Sequence, residues 1–158
     1  MTLTYRKIKE SDISAFVEMV DCPYVQKAEL FVGAQKRKQP YSDVFNMLVK
    51  ENKEPVFHTF LILRNGEPAG CLCRVRTSAK PGVISIGGWV DKNHRGRGVF
   101  GRALKMLIAD LQKEYPDHVF SATARNENAP SLKTLRNIGF REIAPVKDQG
   151  PKTEFVYP

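Results

Sequence analysis

The segment Arg64-Asn65-Gly66-Glu67 stands between two extended runs, residues 56–63 and 69–76. Asn-Gly is the pair that a two-residue hairpin turn favours, because both central positions need positive φ. A third run, Val83–Val90, follows through Pro81-Gly82. Three strands in succession without crossover helices pair antiparallel, so the chain is not a plain repeat of strand-helix-strand units. Gly87-Gly88 inside the third run weakens pairing and admits a bulge or a close backbone approach.

Around this meander the apolar period becomes helical. Residues 2–9 alternate as a strand, and Ser11 reads as the cap of a helix whose Ile13, Phe16, Val17 and Val20 recur at i, i+3, i+4 and i+7. Pro23 and Pro40 bracket a stretch that reads as helix or loop, after which Tyr41, Val44, Phe45, Leu48 and Val49 mark one helix face. Beyond the meander come a helix over residues 98–114, a strand near 119–124, a helix over 129–138, and strands near 140 and 153–157. The order predicts an α/β (α+β) fold with a mixed central sheet of about six or seven strands and about four flanking helices. No repeat or low-complexity tract divides residues 1–158, which read as one domain.

With 42% hydrophobic and 27% charged residues the composition is globular. No apolar stretch approaches the roughly 20 residues of a membrane helix, so no membrane partner is expected. The first ten residues lack the apolar core of a secretory signal and the three cysteines cannot all pair, which together predict a cytoplasmic location. Cys71 and Cys73 share a strand face with no Cys or His at ligand spacing, so no metal site is predicted. The formal charge of +8 attracts anions without choosing among nucleotides, acidic proteins and nucleic acids. Lys36-Arg37-Lys38, the densest basic run, reads as a solvated loop.

Between the third strand and the long helix lies His94-Arg95-Gly96-Arg97-Gly98-Val99-Phe100-Gly101. The helix is firmly patterned by Phe100, Ala103, Leu104, Leu107, Ile108 and Leu111, yet no Ser, Thr, Asp or Asn stands immediately before it. Arg95, Arg97 and Arg102 occupy the place where acids would complement the helix dipole. An anion would satisfy both the free N–H groups and the arginines, and the glycines would let it approach the backbone. A bare tight turn with solvated arginines is the bland alternative. Gly96, Gly98 and Gly101 also match a dinucleotide-binding Gly-x-Gly-x-x-Gly, but the preceding meander and the Ala124-Arg125-Asn126 end of the next strand do not fit that fold.

The second motif is Asn128-Ala129-Pro130-Ser131-Leu132-Lys133-Thr134-Leu135-Arg136-Asn137-Ile138-Gly139-Phe140. By itself it is a capped helix, begun near Asn128, with Pro130 in its first turn, Leu132, Leu135 and Ile138 facing inward, and Gly139 ending it. Paired with the arginine-glycine loop it resembles the Gcn5-related N-acetyltransferase (GNAT) superfamily, in which an Arg/Gln-x-x-Gly-x-Gly/Ala loop precedes an Asn-x-x-Ser/Ala helix ending in Gly-Phe. The resemblance spans residues 83–140, and Ile86-Gly87-Gly88-Trp89-Val90 with Asn128-Ala129-Pro130-Ser131-Leu132 look most like the branch of ribosomal-protein N-terminal acetyltransferases.

The resemblance implies an enzyme that moves an acetyl group from acetyl-CoA to a primary amine by direct attack. It places the pyrophosphate on the amides of Arg95, Gly96, Arg97, Gly98, Val99, Phe100 and Gly101, the pantetheine beside Trp89 and Val90, and Asn128 and Ser131 on the cofactor side. An exposed amide near Gly87-Gly88 would hold the developing oxyanion, a contribution of about 3 kcal/mol. Two positions depart from the family pattern. Phe100 stands where a small residue is usual, and Leu135 where many relatives carry a tyrosine proposed as general acid. The third strand also lacks the glutamate that relatives often place there, leaving Asp91 and His94 as the candidates for a base near in sequence. His58 and His118 read as packing residues, and Tyr24 and Tyr41 as open candidates for the acceptor side. Two other classes compete with the enzyme: a CoA-binding sensor without turnover, suggested by Leu135 and the missing strand carboxylate, and a basic nucleic-acid-binding domain, whose interleaved aromatics are not found.

Overall fold

The computed structural model describes residues 1–146 and 152–157. Their strands form a seven-stranded sheet in the order β1-β2-β3-β4-β5-β7-β6. The strands are β1 (Leu3–Lys7), β2 (Phe57–Arg64), β3 (Glu67–Val75), β4 (Val83–Val90), β5 (Val119–Arg125), β6 (Arg141–Val146) and β7 (Lys152–Tyr157). The helices are α1 (Ile13–Val20), α2 (Glu29–Lys36), α3 (Tyr41–Glu51), α4 (Val99–Glu114) and α5 (Ala129–Ile138).

The hairpin forms where Asn-Gly predicts it. Asn65 and Gly66 take φ of 51° and 81°, and Arg64 pairs directly with Glu67. β1 through β4 run antiparallel, whereas β4 and β5 are parallel, with α4 as the crossover. The sheet is therefore mixed, as the order of elements predicts.

Strand alternation divides the side chains between two cores. Ile62, Leu72, Ile84 and Phe120 meet Leu104 and Leu107 of α4 on one face. Leu61, Cys71 and Trp89 lie on the other, under Phe16 of α1, Phe31 of α2 and Phe45 of α3. Side chains as fully buried as Leu104 and Leu107 each contribute about 2 to 3 kcal/mol relative to exposure.

One open reading is decided and another is corrected. The stretch between Pro23 and Pro40, open between helix and loop, holds α2, which brings the α-helices to five. Its eight residues include Gly33 and a single clear apolar pair, Phe31 and Ala34, too short a stripe to show a period. Ser11 does not cap α1. A short 3-10 turn, Glu10–Asp12, intervenes, and the Asp12 carboxylate accepts from the Lys9 N–H at 2.9 Å and from both terminal nitrogens of Arg6 at 2.8 and 2.9 Å. Ser11 therefore lies inside that turn, one residue before the N-cap position of α1, which Asp12 takes without a side-chain cap.

Gly88 and Gly70 record a close approach of β3 and β4. A Cβ on Gly88 would lie 2.2 Å from the Cys71 carbonyl oxygen, and one on Gly70 2.2 Å from that of Trp89. The β3–β4 register is nonetheless unbroken from Val75↔Ser85 to Gly70↔Val90. Of the two options that Gly87-Gly88 predicts, the structure takes the close approach, and the bulge lies instead between β2 and β3 at Ile62/Leu63.

Candidate active site

β4 and β5 begin side by side and then part. They pair only from Val83↔Val119 to Ser85↔Ser121, although β4 continues to Val90 and β5 to Arg125. The Ser85 and Ser121 hydroxyls, 2.9 Å apart, close the apex. Beyond it a cleft opens, lined by Ile86, Gly87 and Gly88 of β4, Ala122, Thr123 and Ala124 of β5, Phe100 and Leu104 of α4, and Ser131 and Leu135 of α5.

The backbone of β4 faces this cleft unpaired. The Gly82 carbonyl accepts from Val119 N at 3.0 Å, and Asp91 N donates to Ala69 O at 2.8 Å. Even-numbered residues of β4 therefore turn their N–H and C=O groups toward β5, and odd-numbered ones toward β3. Past Ser85, Gly88 and Val90 aim those groups into a gap where β5 has moved away. Such an edge accepts an extended chain as if it were an added strand, and an amide there can polarise a carbonyl.

At the mouth of the gap α4 starts from Gly98, which has φ of 72° and no side-chain cap. The first bond of the helix, Arg102 N to Gly98 O at 3.1 Å, leaves the N–H groups of Val99, Phe100 and Gly101 without helical acceptors. The first turn has no acid, and Arg95, Arg97 and Arg102 are exposed and meet no carboxylate among the described residues. Positive φ at both Gly96 and Gly98 turns neighbouring amides outward, forming an anion cradle with the positive end of the helix dipole behind it. Gly101 has another role: a Cβ there would meet Thr134 Cγ2 at 3.3 Å, so its smallness lets α4 pack on α5. Phe100 is half-buried against the core and walls the cleft, which is how the loop accommodates a large ring.

The remaining predicted site residues separate. Trp89 and Val90 face opposite sides, as neighbours on a strand must. Val90 is buried against the α4 side, while the Trp89 ring packs 5.8 Å from Phe16 and 5.7 Å from Phe31. Trp89 thus turns its ring toward the helices of the other face and its backbone polar groups toward β3. Asn128 caps α5, its side chain accepting from Ser131 N at 3.3 Å, and this sets Ser131 on the cleft wall. Leu135 is 3% exposed and lines the cleft where a phenol would otherwise stand. Asp91 is buried and accepts from Asn93 N at 3.3 Å, closing the 3-10 turn Lys92–His94. His94 lies 3.4 Å from Arg64 at the end of β2. Both belong to the β2–β3 side of β4, across that strand from the gap.

Carboxylates reach the other face from elements far away in sequence. Glu154 sits directly opposite Thr123, on the face of β7 away from the buried Phe155. Glu29, in the first turn of α2, pairs with Arg125 and Lys152 at the ends of β5 and β7. No spacing rule links residues 29, 125, 152 and 154; the β5–β7 register brings the last three together and α2 carries Glu29 to them. The sulfur nearest the cleft is Cys73, opposite Gly87, and burial pushes its thiol up to about 11. A thiol so held stays protonated at neutral pH and is a poor nucleophile, which favours direct transfer over an acyl-cysteine.

A parted parallel strand pair with an anion cradle at its mouth defines an acyl-CoA-dependent acyltransferase fold. Residues 2–141 match the family model described as the acetyltransferase (GNAT) domain, and the chain belongs to that family. The protein is an acetyl-CoA-dependent N-acetyltransferase. Among solved structures it is similar to the acetyltransferase from Salmonella typhimurium that modifies the N-terminal serine of 50S ribosomal subunit protein L7/L12. That pair has a TM-score of 0.82 and 19% identity, covering 99% of this chain and 95% of that one. It is also similar to RimL, the ribosomal L7/L12 alpha-N-protein acetyltransferase, in complex with coenzyme A (TM-score 0.78, 20% identity, 99% and 94% covered). A third is an aminoglycoside acetyltransferase in complex with coenzyme A (TM-score 0.72, 17% identity, 99% and 94% covered). At these identities the likeness is one of fold. No curated protein sequence matches the chain, and no helix among the described residues is long and apolar enough to cross a membrane.

Proposed function

We propose that the acceptor is the α-amine of a polypeptide N-terminus, and that acetyl passes to it directly across the gap between β4 and β5. The observation that carries this reading is the parting of the two strands after Ser85 and Ser121, with the uncapped start of α4 at its mouth. An extended acceptor suits a trough between strands, and two of the structurally similar proteins modify the N-terminus of a ribosomal protein.

In this reading the pyrophosphate of acetyl-CoA rests on the amides of residues 95–101 and beside Arg95 and Arg97. Pantetheine runs along the backbone edge of β4 at Gly88 and Val90, between Phe100 and Ser131. The Gly88 or Val90 N–H holds the thioester oxygen, and that contact strengthens as negative charge develops there. The N-terminal amine enters from the opposite face, where Glu154 takes its proton directly or through one water. An α-amine, with an ordinary pKa of about 8, is mostly ammonium at neutral pH, so a base must take its proton before it attacks. The departing thiolate, with an ordinary pKa near 8.5, leaves without a strong acid, so Leu135 in place of a phenol is tolerated. Ser131, on the cleft wall, offers the thiolate a hydroxyl hydrogen bond. The three free cysteines support a reducing, cytoplasmic setting.

The test is incubation with acetyl-CoA and peptides bearing either a free N-terminus or a blocked N-terminus with a free lysine, reading thiol release and the site of acetylation by mass spectrometry. Acetylation of the α-amine alone is expected, and acetylation of lysine alone contradicts the reading. Glu154→Gln should lower kcat about a hundredfold, the usual scale for a general base, with little change in KM for acetyl-CoA.

A further inference from the structure

Three charged residues, Glu29, Arg125 and Lys152, meet at the end of β5. Arg125 and Lys152 are direct cross-strand partners, so their side chains leave the same face about 5 Å apart. Two cations so placed repel each other unless a carboxylate lies between them. Glu29 supplies it, meeting Lys152 closely and Arg125 at 3.4 Å. Exposure is graded across the cluster: the Lys152 side chain is 7% exposed, that of Arg125 35% and that of Glu29 59%. A buried ammonium requires a counter-charge, and here it comes from the most exposed member.

This cluster stands at the C-terminal end of β5, on the sheet face away from α4. Arg125 follows Ala124, which lines the cleft, and α2 carries Glu29 two residues before Phe31, whose ring packs on Trp89 of β4. Further along the same face of β7 lies Glu154, two residues from Lys152 and therefore about 7 Å away. The face thus presents a carboxylate across β5 from the gap, opposite Thr123 of the cleft lining, and a pair of cations one step farther along the strands. An extended N-terminus with an acid at its second residue has the matching order, ammonium then carboxylate, over a comparable reach.

We infer that Arg125 and Lys152 form an acceptor subsite for a carboxylate near the N-terminus of the polypeptide, and that Glu29 holds this subsite until the acceptor's carboxylate replaces it. The inference rests on the reading of the acceptor as a polypeptide N-terminus and adds the chemistry of its second residue. Exchanging one carboxylate for another keeps Lys152 compensated throughout, so acceptor entry exposes no unpaired buried charge.

The experiment compares kcat/KM for two peptides with a free N-terminus that differ only in glutamate or glutamine at the second position. Two small acceptors, aspartate and its side-chain amide, are run beside them. The glutamate peptide should be favoured about tenfold, the scale of one charge-assisted hydrogen bond. Arg125→Gln should bring the ratio to about one with acetyl-CoA affinity unchanged, and Lys152→Met, which keeps the buried stem, should do the same. Glu29→Gln should lower KM for the glutamate peptide. Equal turnover of the two peptides by the wild-type protein overturns the subsite while leaving the N-terminal reading intact. A preference for aspartate over its amide with no turnover of either peptide overturns the N-terminal reading and supports the subsite. If no acceptor turns over, equal binding of the two peptides to the CoA-loaded protein overturns both.

Discussion

The Arg95 guanidinium lies over the Tyr24 ring, 3.2 Å from its centre. Tyr24 belongs to the connection between α1 and α2, on the acceptor side, and Arg95 opens the anion loop that leads into α4. A stacked guanidinium keeps its edge N–H groups free, so the ring orients Arg95 without consuming the donors a phosphate would take. Tyr24→Ala should weaken acetyl-CoA binding about threefold, from loss of about 0.5 to 1 kcal/mol of cation–π attraction, whereas Tyr24→Phe should bind normally. Titration calorimetry with acetyl-CoA checks both; unchanged affinity for the alanine variant would mean that the stack plays no part in ordering the loop.

Gly88 should accept no side chain. Its φ is 154°, and a Cβ would meet the Cys71 carbonyl oxygen at 2.2 Å, a backbone atom that cannot swing aside. Gly88→Ala should cost about 2 to 3 kcal/mol of stability from that overlap. Transfer activity should fall further than the loss of folded protein explains, because the displaced backbone carries the amide that faces the gap. Gly66→Ala is the control: its φ is also positive, at 81°, but nothing lies within 4 Å of its Cβ, so a smaller loss confined to stability is expected. Chemical denaturation together with the thiol-release rate separates the two effects.

Much of this architecture is legible in the sequence because it is written in local patterns. Asn65-Gly66 specifies its turn through φ, and the six apolar positions of α4 specify a helix whose uncapped start is visible by the absence of a capping residue. The resemblance sets both Trp89 and Val90 beside the pantetheine, and strand alternation separates them, since neighbours on a strand face opposite sides. The acceptor side is not legible. Glu29, Arg125, Lys152 and Glu154 meet only after β7 has inserted beside β5, and strand order in a sheet is a long-range property that no short spacing encodes. Asp91 and His94 show the converse: they stand beside the loop in sequence, and the structure binds Asp91 to its own turn and sets His94 against Arg64.

Acid should act on the protein through Asp12. The hydrogen bonds from Arg6 hold its carboxyl below the usual carboxylate range, against the opposing effect of burial. Because the folded-state pKa is depressed, the stabilisation is fully present above the unfolded value of about 3.9 and is lost as pH falls through the folded value. Asp12→Asn should cost about 2 kcal/mol at neutral pH, leaving Arg6 without its ionic partner, and should flatten the acid limb of stability below pH of about 4. Urea denaturation midpoints across that range are the check, and parallel acid limbs in the two proteins would contradict it.

The central claim is that the glycine-arginine start of α4 is the seat of the acetyl-CoA pyrophosphate. Gly98→Asp addresses it most directly, since aspartate tolerates positive φ better than most residues and nothing lies within 4 Å of the Cβ it would add. The substitution sets a carboxylate at the helix start where the phosphates should lie. The measurement is acetyl-CoA affinity by titration calorimetry, beside a thermal unfolding curve. Binding about tenfold weaker or worse, a loss of about 1.4 kcal/mol, with the folded state retained is the predicted result. Equal affinity in the folded variant would contradict the assignment of this loop and, with it, the placement of the reaction in the gap between β4 and β5.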